Sequence, residues 1–253
     1  MEIVRFSGSS YDEYEALLLR LEQVKKDAFA YHMAYLRRFG HLIEQEYTLQ
    51  IDCIALKKAI FFCQSAINRG EMPDSEALEA YLAEEMAAYR TELDRMVEAQ
   101  QIADSARLLT DEEVAEIREI YHRLVKLLHP DISPLTESFP LLADLFERAI
   151  LAYRTNNLEE LREIAETVDL FLAGHGIESV SAAVTDLKAK IEKMRAQIDE
   201  IVSTQPYNYK TLLENEALCV EKTRQLTESI GQYESYKATL ETHLKTLLKE
   251  EGE

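Results

Sequence analysis

The sequence predicts an all-α protein in which long antiparallel coiled-coil helical hairpins flank a smaller helical hairpin. Only 7 of the 253 residues are glycine and 5 are proline, so the chain has few of the residues that build turns. Apolar residues make up 47% of the chain, which is too many for a disordered protein. They recur at alternating spacings of three and four, the pattern of helices that pack lengthwise on one another.

Prolines and glycines interrupt this periodicity at a few places and so divide the chain. The residues at these interruptions are Gly70, Pro73, Pro130, Pro134, Pro140, Gly174, Gly176 and Pro206. We therefore predict an N-terminal coiled-coil hairpin over residues 1–107, a central module over 108–173 and a C-terminal coiled-coil hairpin over 174–253.

The first predicted helix covers residues 11–68. Its apolar seam, the line of residues that would face a partner helix, begins with Leu17, Leu21, Val24, Ala28, Tyr31 and Tyr35. Residues 69–74 stop this helix, and a second helix is predicted from Ser75 with a seam through Leu82, Met86, Tyr89, Leu93 and Met96. Because the connection is short, we expect the second helix to return antiparallel to the second half of the first.

The C-terminal segment has the same design without repeating the sequence. One helix has an uninterrupted seam of Val180, Val184, Leu187, Ile191, Met194, Ile198 and Ile201. Residues 204–208 turn the chain, and the seam of the returning helix includes Leu212, Cys219, Leu226, Ile230, Tyr233, Leu240, Leu244 and Leu247. Leu213, Ala217 and Val220 allow an alternative start of this seam one residue further on. Such seams define the buried face of a helix but do not identify the helix that packs on it. The sequence therefore leaves open which helices pair, and whether they pair within one chain or between two.

The charge of the chain argues against several classes of partner. Acidic residues outnumber basic ones 47 to 28, which gives a net charge of −19. This charge repels phosphate groups, so we expect no binding to nucleic acid and no association with membranes. The N-terminus lacks the pattern of a signal peptide, and no apolar run approaches the roughly 20 residues that span a bilayer.

The three cysteines, Cys53, Cys63 and Cys219, are widely spaced and odd in number. This spacing predicts neither a disulfide framework nor a zinc site, and the sequence has no other motif for a metal or a cofactor. We therefore expect a chain without cofactors that resides in the reducing environment of the cytoplasm.

The central module begins with a strong signal for a helix start, and its first helix ends at a proline. Thr110 and Glu113 have the spacing of a capping box, and Pro130 ends the helix at His129 because the residue before a proline is disfavoured in the α conformation. The predicted apolar stripe of this helix consists of Val114, Ile117, Tyr121, Leu124 and Leu128. After a proline-containing loop, the stripe of a second helix consists of Leu142, Leu145, Phe146, Ala149, Ala152 and Tyr153. We expect these helices to lie antiparallel, with the bend between them exposed at one end.

Residues 121–131, YHRLVKLLHPD, resemble the second helix and the His-Pro-Asp signature of a J-domain, and residues 146–153 resemble the core face of its third helix. The resemblance implies that the His-Pro-Asp loop and the basic face of the second helix contact a DnaK-type (heat shock 70) chaperone. This contact stimulates ATP hydrolysis by the chaperone, whereas the J-protein itself hydrolyses nothing. The resemblance also implies a core made of Tyr121, Leu124, Leu128, Phe146, Ala149 and Tyr153.

The predicted partner-binding residues lie along the first helix of the module and at its end. Arg118, His122, Lys126 and His129 are predicted to fall on one helical stripe beside the apolar one, in a locally basic stretch of an acidic chain. Such a patch can steer and orient an acidic partner surface. Pro130 would stiffen the bend, and the resemblance implies that Asp131 pairs with an arginine of the partner. The complete predicted set is Arg118, His122, Arg123, Lys126, His129, Pro130 and Asp131.

Two other classes of function fit parts of the sequence. The pair His129 and Asp131 allows an acid–base interpretation, but no nucleophile, metal-ligand spacing or phosphate loop accompanies it, so we expect no enzyme activity. A coiled-coil adaptor or scaffold with a non-stimulating J-like region is the alternative. It is favoured by residues 104–109, DSARLL, which do not match the Tyr-Tyr-x-x-Leu-Gly helix that normally opens a J-domain. In either case the hairpins would bind a client protein or a second copy of the chain.

Overall fold

The structure, a computed structural model, describes residues 8–105, 109–177 and 186–249, and within them the side chains of residues 12–104, 109–177 and 186–248. Every extended regular element in these ranges is a helix, which confirms the predicted all-α fold. In chain order the helices are α1 (Gly8–Asn68), α2 (Ser75–Glu85), α3 (Ala87–Ser105), α4 (Asp111–Leu128), α5 (Leu135–Ser138), α6 (Pro140–Arg154), α7 (Leu158–Gly174), α8 (Leu187–Ser203), α9 (Tyr209–Leu213) and α10 (Glu216–Lys249). The predicted seam positions Val180 and Val184 lie outside the described residues.

The chain divides into two compact units. The first unit combines Met1–His32 with Ala106–Lys210, and the second combines Met33–Ser105 with Thr211–Glu253. The predicted module 108–173 lies within the first unit, whereas the predicted hairpins 1–107 and 174–253 are each divided between the two units. The length of α1 explains this difference, because its N-terminal part packs in the first unit and the rest packs in the second.

In the second unit, α1 and the helices that follow it form an antiparallel hairpin, as the short connection predicted. Gly70 has a φ of 73° at the turn, a conformation that glycine adopts without strain. Close to the turn, Lys58 Nζ lies 2.5 Å from Glu85 Oε2. Far from the turn, Arg37 donates a hydrogen bond to the carbonyl of Ala103 at 2.8 Å. A residue near the end of α1 thus pairs with one soon after the turn, and a residue further back in α1 pairs with one further from the turn. This order establishes the antiparallel direction.

The returning helix of this hairpin is interrupted at Met86, where one continuous helix was predicted. Helical hydrogen bonds nevertheless continue across the interruption. The N–H of Met86 donates to the carbonyl of Leu82 at 3.0 Å, and the N–H of Arg90 donates to the carbonyl of Met86 at 3.1 Å. Met86 is only 1% exposed. The interruption is therefore a local distortion at a buried side chain and does not reverse the chain.

Helix α10 packs along the same part of α1 and runs parallel to it. The Ser229 hydroxyl donates to the Glu46 carboxylate at 2.5 Å, and further along both helices Lys237 donates to Asp52 at 2.6 Å. The buried apolar cluster of this pair consists of Phe39, Cys219 and Leu226. The two helices of the predicted C-terminal hairpin thus belong to different units, α8 to the first and α10 to the second.

In the first unit, α4, α6 and α7 pack together against the N-terminal part of α1 and against α8. The residues that the J-domain resemblance places in the core are all at most 4% exposed: Tyr121, Leu124, Leu128, Phe146, Ala149 and Tyr153. The rings of Tyr121 and Tyr153 stack with their centroids 3.9 Å apart. Helices α1 and α8 add to this core the side chains of Tyr14, Leu18, Leu21, Leu187, Ile191 and Met194.

Helix α4 has the ends that its sequence predicts. Thr110 and Glu113 form both hydrogen bonds of a capping box, at 2.9 and 3.3 Å, and His129 is the C-cap. Ile117 is the first fully buried residue of the helix. Val114 is 38% exposed, so its predicted place in the buried stripe is wrong. It lies in the first turn, before the helix reaches the core.

Candidate functional site

A row of basic side chains lies on the solvent side of α4. The residues Arg118, His122, Arg123 and Lys126, which we call the cationic face, line one shallow depression of the surface. The two arginines and the lysine are exposed, and the histidine is half-buried. The helical period produces this arrangement, because the apolar residues that alternate with them turn toward the core.

Two members of the cationic face pair with carboxylates of neighbouring helices. Arg123 donates two hydrogen bonds to Asp169 of α7, at 2.7 and 2.8 Å. Lys126 Nζ lies 2.5 Å from Glu15 of α1. Exposed ion pairs of this kind contribute about 0–1 kcal/mol. Both cations can therefore exchange an internal carboxylate for one on a partner at little cost.

The charge of the cationic face comes from three of its four side chains. Partial burial, and then the charges of Arg118 and Lys126, lower the pKa of His122 from its ordinary value. The imidazole of His122 is therefore neutral at neutral pH. Arg118, Arg123 and Lys126 supply the positive charge that a partner would meet.

Residues 129–131, which we call the corner, form a tight turn directly after α4. The N–H of Asp131 donates to Nδ1 of His129 at 3.1 Å. The N–H groups of Ile132 and Ser133 both donate to the His129 carbonyl at 2.8 Å. Because Nδ1 accepts a hydrogen bond, we assign the proton of the neutral ring to Nε2. These bonds fix the ring and the carboxylate of the corner in defined positions.

Pro130 and Asp131 of the corner are exposed, as the sequence predicted for this bend, and side chains of α1 and α8 border it. The His129 ring is half-buried and lies edge-on to Phe146, with ring centroids 5.7 Å apart. The Asp131 side chain is 48% exposed, but it accepts a hydrogen bond from Lys190 of α8 at 2.7 Å. The corner thus remains at the surface, but Asp131 already has an ion-pair partner in its own chain, which the sequence did not predict. The groove around the corner also includes Tyr14, Leu18, Glu22, Lys25 and Met194.

The corner presents a neutral imidazole and a carboxylate at neutral pH. Burial lowers the pKa of His129, and the charge of Asp131 only partly offsets this effect. Burial alone would raise the pKa of the Asp131 carboxyl. The hydrogen bond and charge of Lys190, with the nearby His129, outweigh burial and lower the pKa of Asp131 from its ordinary value.

The predicted binding residues form two surfaces instead of one. The depression that contains Arg118 and Lys126 does not include His129 or Asp131, which line the groove beside α1 and α8. Pro130 is exposed to solvent. A partner that contacts both surfaces must therefore reach from the side of α4 around its C-terminal end.

Sequence reasoning missed Glu22, a buried carboxylate that borders the corner groove. Glu22 is 6% exposed. It accepts hydrogen bonds from the Tyr121 hydroxyl at 3.0 Å and from Lys25 at 2.6 Å, and Arg154 lies 4.0 Å away. In a chain with 47 acidic residues, nothing marks a glutamate next to seam residue Leu21 as buried.

Lys26 is a second charged residue of α1 at the edge of the same core. Its Nζ lies 3.9 Å from the centroid of the Tyr153 ring. Burial, and to a smaller extent the charge of Arg118, lower the pKa of Lys26 to about 8. The folded chain therefore holds the Lys26 proton more weakly than the unfolded chain does.

Replacing Lys26 with methionine is expected to stabilise the chain at neutral pH by about 1 kcal/mol, after allowance for solvent screening. The lysine opposes folding most below about pH 8, and this penalty disappears as the pH approaches its ordinary pKa of 10.5. Urea unfolding of both proteins over this range should show a difference that shrinks as the pH rises. Lys245→Met, an exposed site on α10, serves as the control. A difference that does not vary with pH would contradict the prediction.

Within the described part of the chain, no helix is long and apolar enough to cross a membrane. The same residues contain no group of three or more histidine, cysteine, aspartate or glutamate side chains arranged to hold a metal ion. Comparison of the chain with protein-family models, curated proteins and solved structures gave no match.

Proposed function

We propose that the chain is a J-domain-like co-chaperone that docks on a DnaK-type chaperone and stimulates its ATPase. The observation that carries the proposal is the cationic face, an ordered row of basic side chains on α4 that leads to the His129–Asp131 corner. An exposed basic row in a chain of net charge −19 is suited to an acidic partner surface.

In the proposed mechanism the two surfaces have different tasks. The cationic face speeds encounter with the chaperone and sets its orientation, since long-range charge acts before contact. The corner then supplies the short-range contacts, in which Asp131 pairs with a cation of the chaperone and His129 holds the turn in shape. The hydrolysed ATP is bound by the chaperone, so the chain needs no catalytic group or cofactor of its own.

The proposal assigns the second unit to the selection of a client protein or to self-association. This unit exposes large apolar side chains, among them Phe61 of α1 at 68%, Val220 of α10 at 61% and Met72 in the turn after α1 at 70%. The proposal also places the chain in the cytoplasm, which suits three buried cysteines without disulfides.

The direct test is ATP turnover by a DnaK-type chaperone with and without the full-length chain. Wild type is expected to raise turnover, and His129→Gln is expected to abolish the increase because the corner loses its imidazole. The matched control is His243→Gln, an exposed histidine of α10 in the second unit, which should behave as wild type. Turnover by the chain alone, or equal stimulation by His129→Gln and wild type, would contradict the proposal.

The cationic face has a separate test by charge reversal. Lys126→Glu is expected to raise the concentration of chain needed for half-maximal stimulation about fivefold, equivalent to about 1 kcal/mol of lost attraction. Added salt should reduce this difference, since exposed charges are screened. Lys245→Glu changes the net charge equally on an exposed part of α10 and serves as the control. An equal loss in both variants would mean that net charge matters and the cationic face does not.

A coiled-coil adaptor with a non-stimulating J-like region is the second candidate. It is favoured by one observation, that Asp131 already has an ion-pair partner in its own chain, Lys190. An adaptor would form a stable complex through its coiled-coil helices and leave chaperone turnover unchanged. Mass measurement in solution would establish whether these helices also join two copies of the chain.

A further inference from the structure

Helix α8 is docked beside the corner through polar and apolar contacts along its length. Lys190 donates to Asp131 at 2.7 Å, and the lysine side chain is 33% exposed. Further along the helix, Arg195 forms an ion pair with Glu13 of α1. The apolar side chains that α8 buries in the core of the first unit, each 5–7% exposed, are Leu187, Ile191 and Met194.

The N-terminal end of α8, which carries Lys190, lacks part of the usual stabilisation of a helix start. The N-cap residue Asp186 has φ 56° and ψ 48°, in the left-handed region, which differs from the extended conformation typical of an N-cap. Its side chain makes no capping hydrogen bond, although aspartate commonly does so at this position. A lysine near a helix N-terminus is also disfavoured by the helix dipole. The Asp131 carboxylate offsets that disadvantage.

We infer that α8 is an intrachain cap on the docking corner, in which Lys190 occupies the Asp131 carboxylate that a cation of the chaperone would otherwise bind. This inference rests on the proposed function and concerns its regulation. An incoming cation must displace Lys190 from Asp131. The pair is partly exposed, so it is weak enough to exchange. The cap thus lowers the affinity of docking without preventing it.

The test compares full-length wild type with Lys190→Ala as each is titrated into the ATPase assay of a DnaK-type chaperone. Loss of the ion pair is expected to lower the half-maximal concentration about two- to fivefold, the factor that corresponds to an exposed ion pair. The maximal stimulation should not change, because the corner itself is intact.

Two further variants separate the Lys190–Asp131 contact from the general charge of α8. Lys190→Arg keeps a cation at the same place and is expected to titrate as wild type does. Lys193→Ala removes a lysine of the same helix that lines the same groove, but the ion pair with Asp131 is made by Lys190. This variant should therefore have the same half-maximal concentration as wild type. If Lys193→Ala lowers the half-maximal concentration as much as Lys190→Ala does, the inference is overturned.

Amide hydrogen exchange provides a readout that does not depend on ATP turnover. Binding of the chaperone is expected to increase exchange in the first turns of α8, around Lys190, while the amides of α6 stay protected. Lys190→Ala should increase exchange at the same α8 amides in the absence of the chaperone.

Failure of this inference and failure of the proposed function give different results. In one outcome, wild type stimulates the chaperone and His129→Gln does not. In the same experiments, Lys190→Ala has the half-maximal concentration of wild type, and docking leaves amide exchange in α8 unchanged. The cap is then overturned while the co-chaperone function stands. If wild type and Lys190→Ala both neither bind nor stimulate the chaperone, the proposed function fails and the cap fails with it.

Discussion

Replacing Phe146 with alanine should lower the free energy of unfolding of the first unit by about 3–5 kcal/mol, the usual range for a buried phenylalanine. Phe146 is 4% exposed and lies in the middle of α6. Its ring packs in the core and against the His129 ring, with 5.7 Å between ring centroids. Removal therefore leaves a cavity and also frees the imidazole of the corner.

Urea unfolding of the full-length chain, combined with hydrogen exchange of the α6 amides, would measure this loss. The exchange data are needed because the two units can unfold separately, in which case one transition would not report on both. Leu151→Ala, at a site 63% exposed on the same helix, is the matched control and should change stability by less than about 0.5 kcal/mol. Similar losses in the two variants would mean that Phe146 does not pack in the core.

Replacing Glu22 with alanine should destabilise the first unit by about 2–4 kcal/mol, because its partners would lose a buried acceptor. The Tyr121 hydroxyl would lose the carboxylate to which it donates at 3.0 Å, and Lys25 would lose a partner at 2.6 Å. Glu22→Gln should cost about half as much or less, since the amide oxygen can still accept from Tyr121.

The comparison of the two Glu22 variants identifies the source of the effect. If alanine costs clearly more than glutamine, the hydrogen bond to Tyr121 is the main contribution. Equal losses would assign it to the negative charge. Glu119→Ala, on the solvent side of α4, is the control and should change stability by less than about 0.5 kcal/mol. A loss below about 1 kcal/mol for Glu22→Ala would contradict the prediction.

Features set by neighbouring residues could be predicted from the sequence. The start of α4 follows from the reciprocal hydrogen bonds of Thr110 and Glu113, and its end follows from Pro130. The cationic face could be predicted for the same reason, since helical spacing alone places Arg118, His122 and Lys126 on one side. The prediction for Val114 was wrong because the helical spacing of apolar residues indicates which side of the helix a residue lies on. It does not indicate at which turn the helix enters the core.

Pairing between distant helices could not be predicted. The seam of α8 contains Leu187, Ile191 and Met194, and the structure buries all three, but the seam does not specify the helix that covers them. The same holds for α10, which packs on α1. The contact of Lys190 with Asp131 depends on this long-range packing, so the sequence predicted the exposed bend but not the ion pair that it carries.

The core of the first unit brings together residues that are synthesised far apart in time. Tyr14 packs with Met194 in one apolar cluster. At about 5–20 residues per second, a ribosome needs roughly 10–40 s to add Met194 after Tyr14. Throughout this interval the nascent chain leaves uncovered the part of the α1 seam that α8 buries. Premature termination before α8 would leave part of that seam permanently bare, so we expect such truncated products to aggregate or to be degraded.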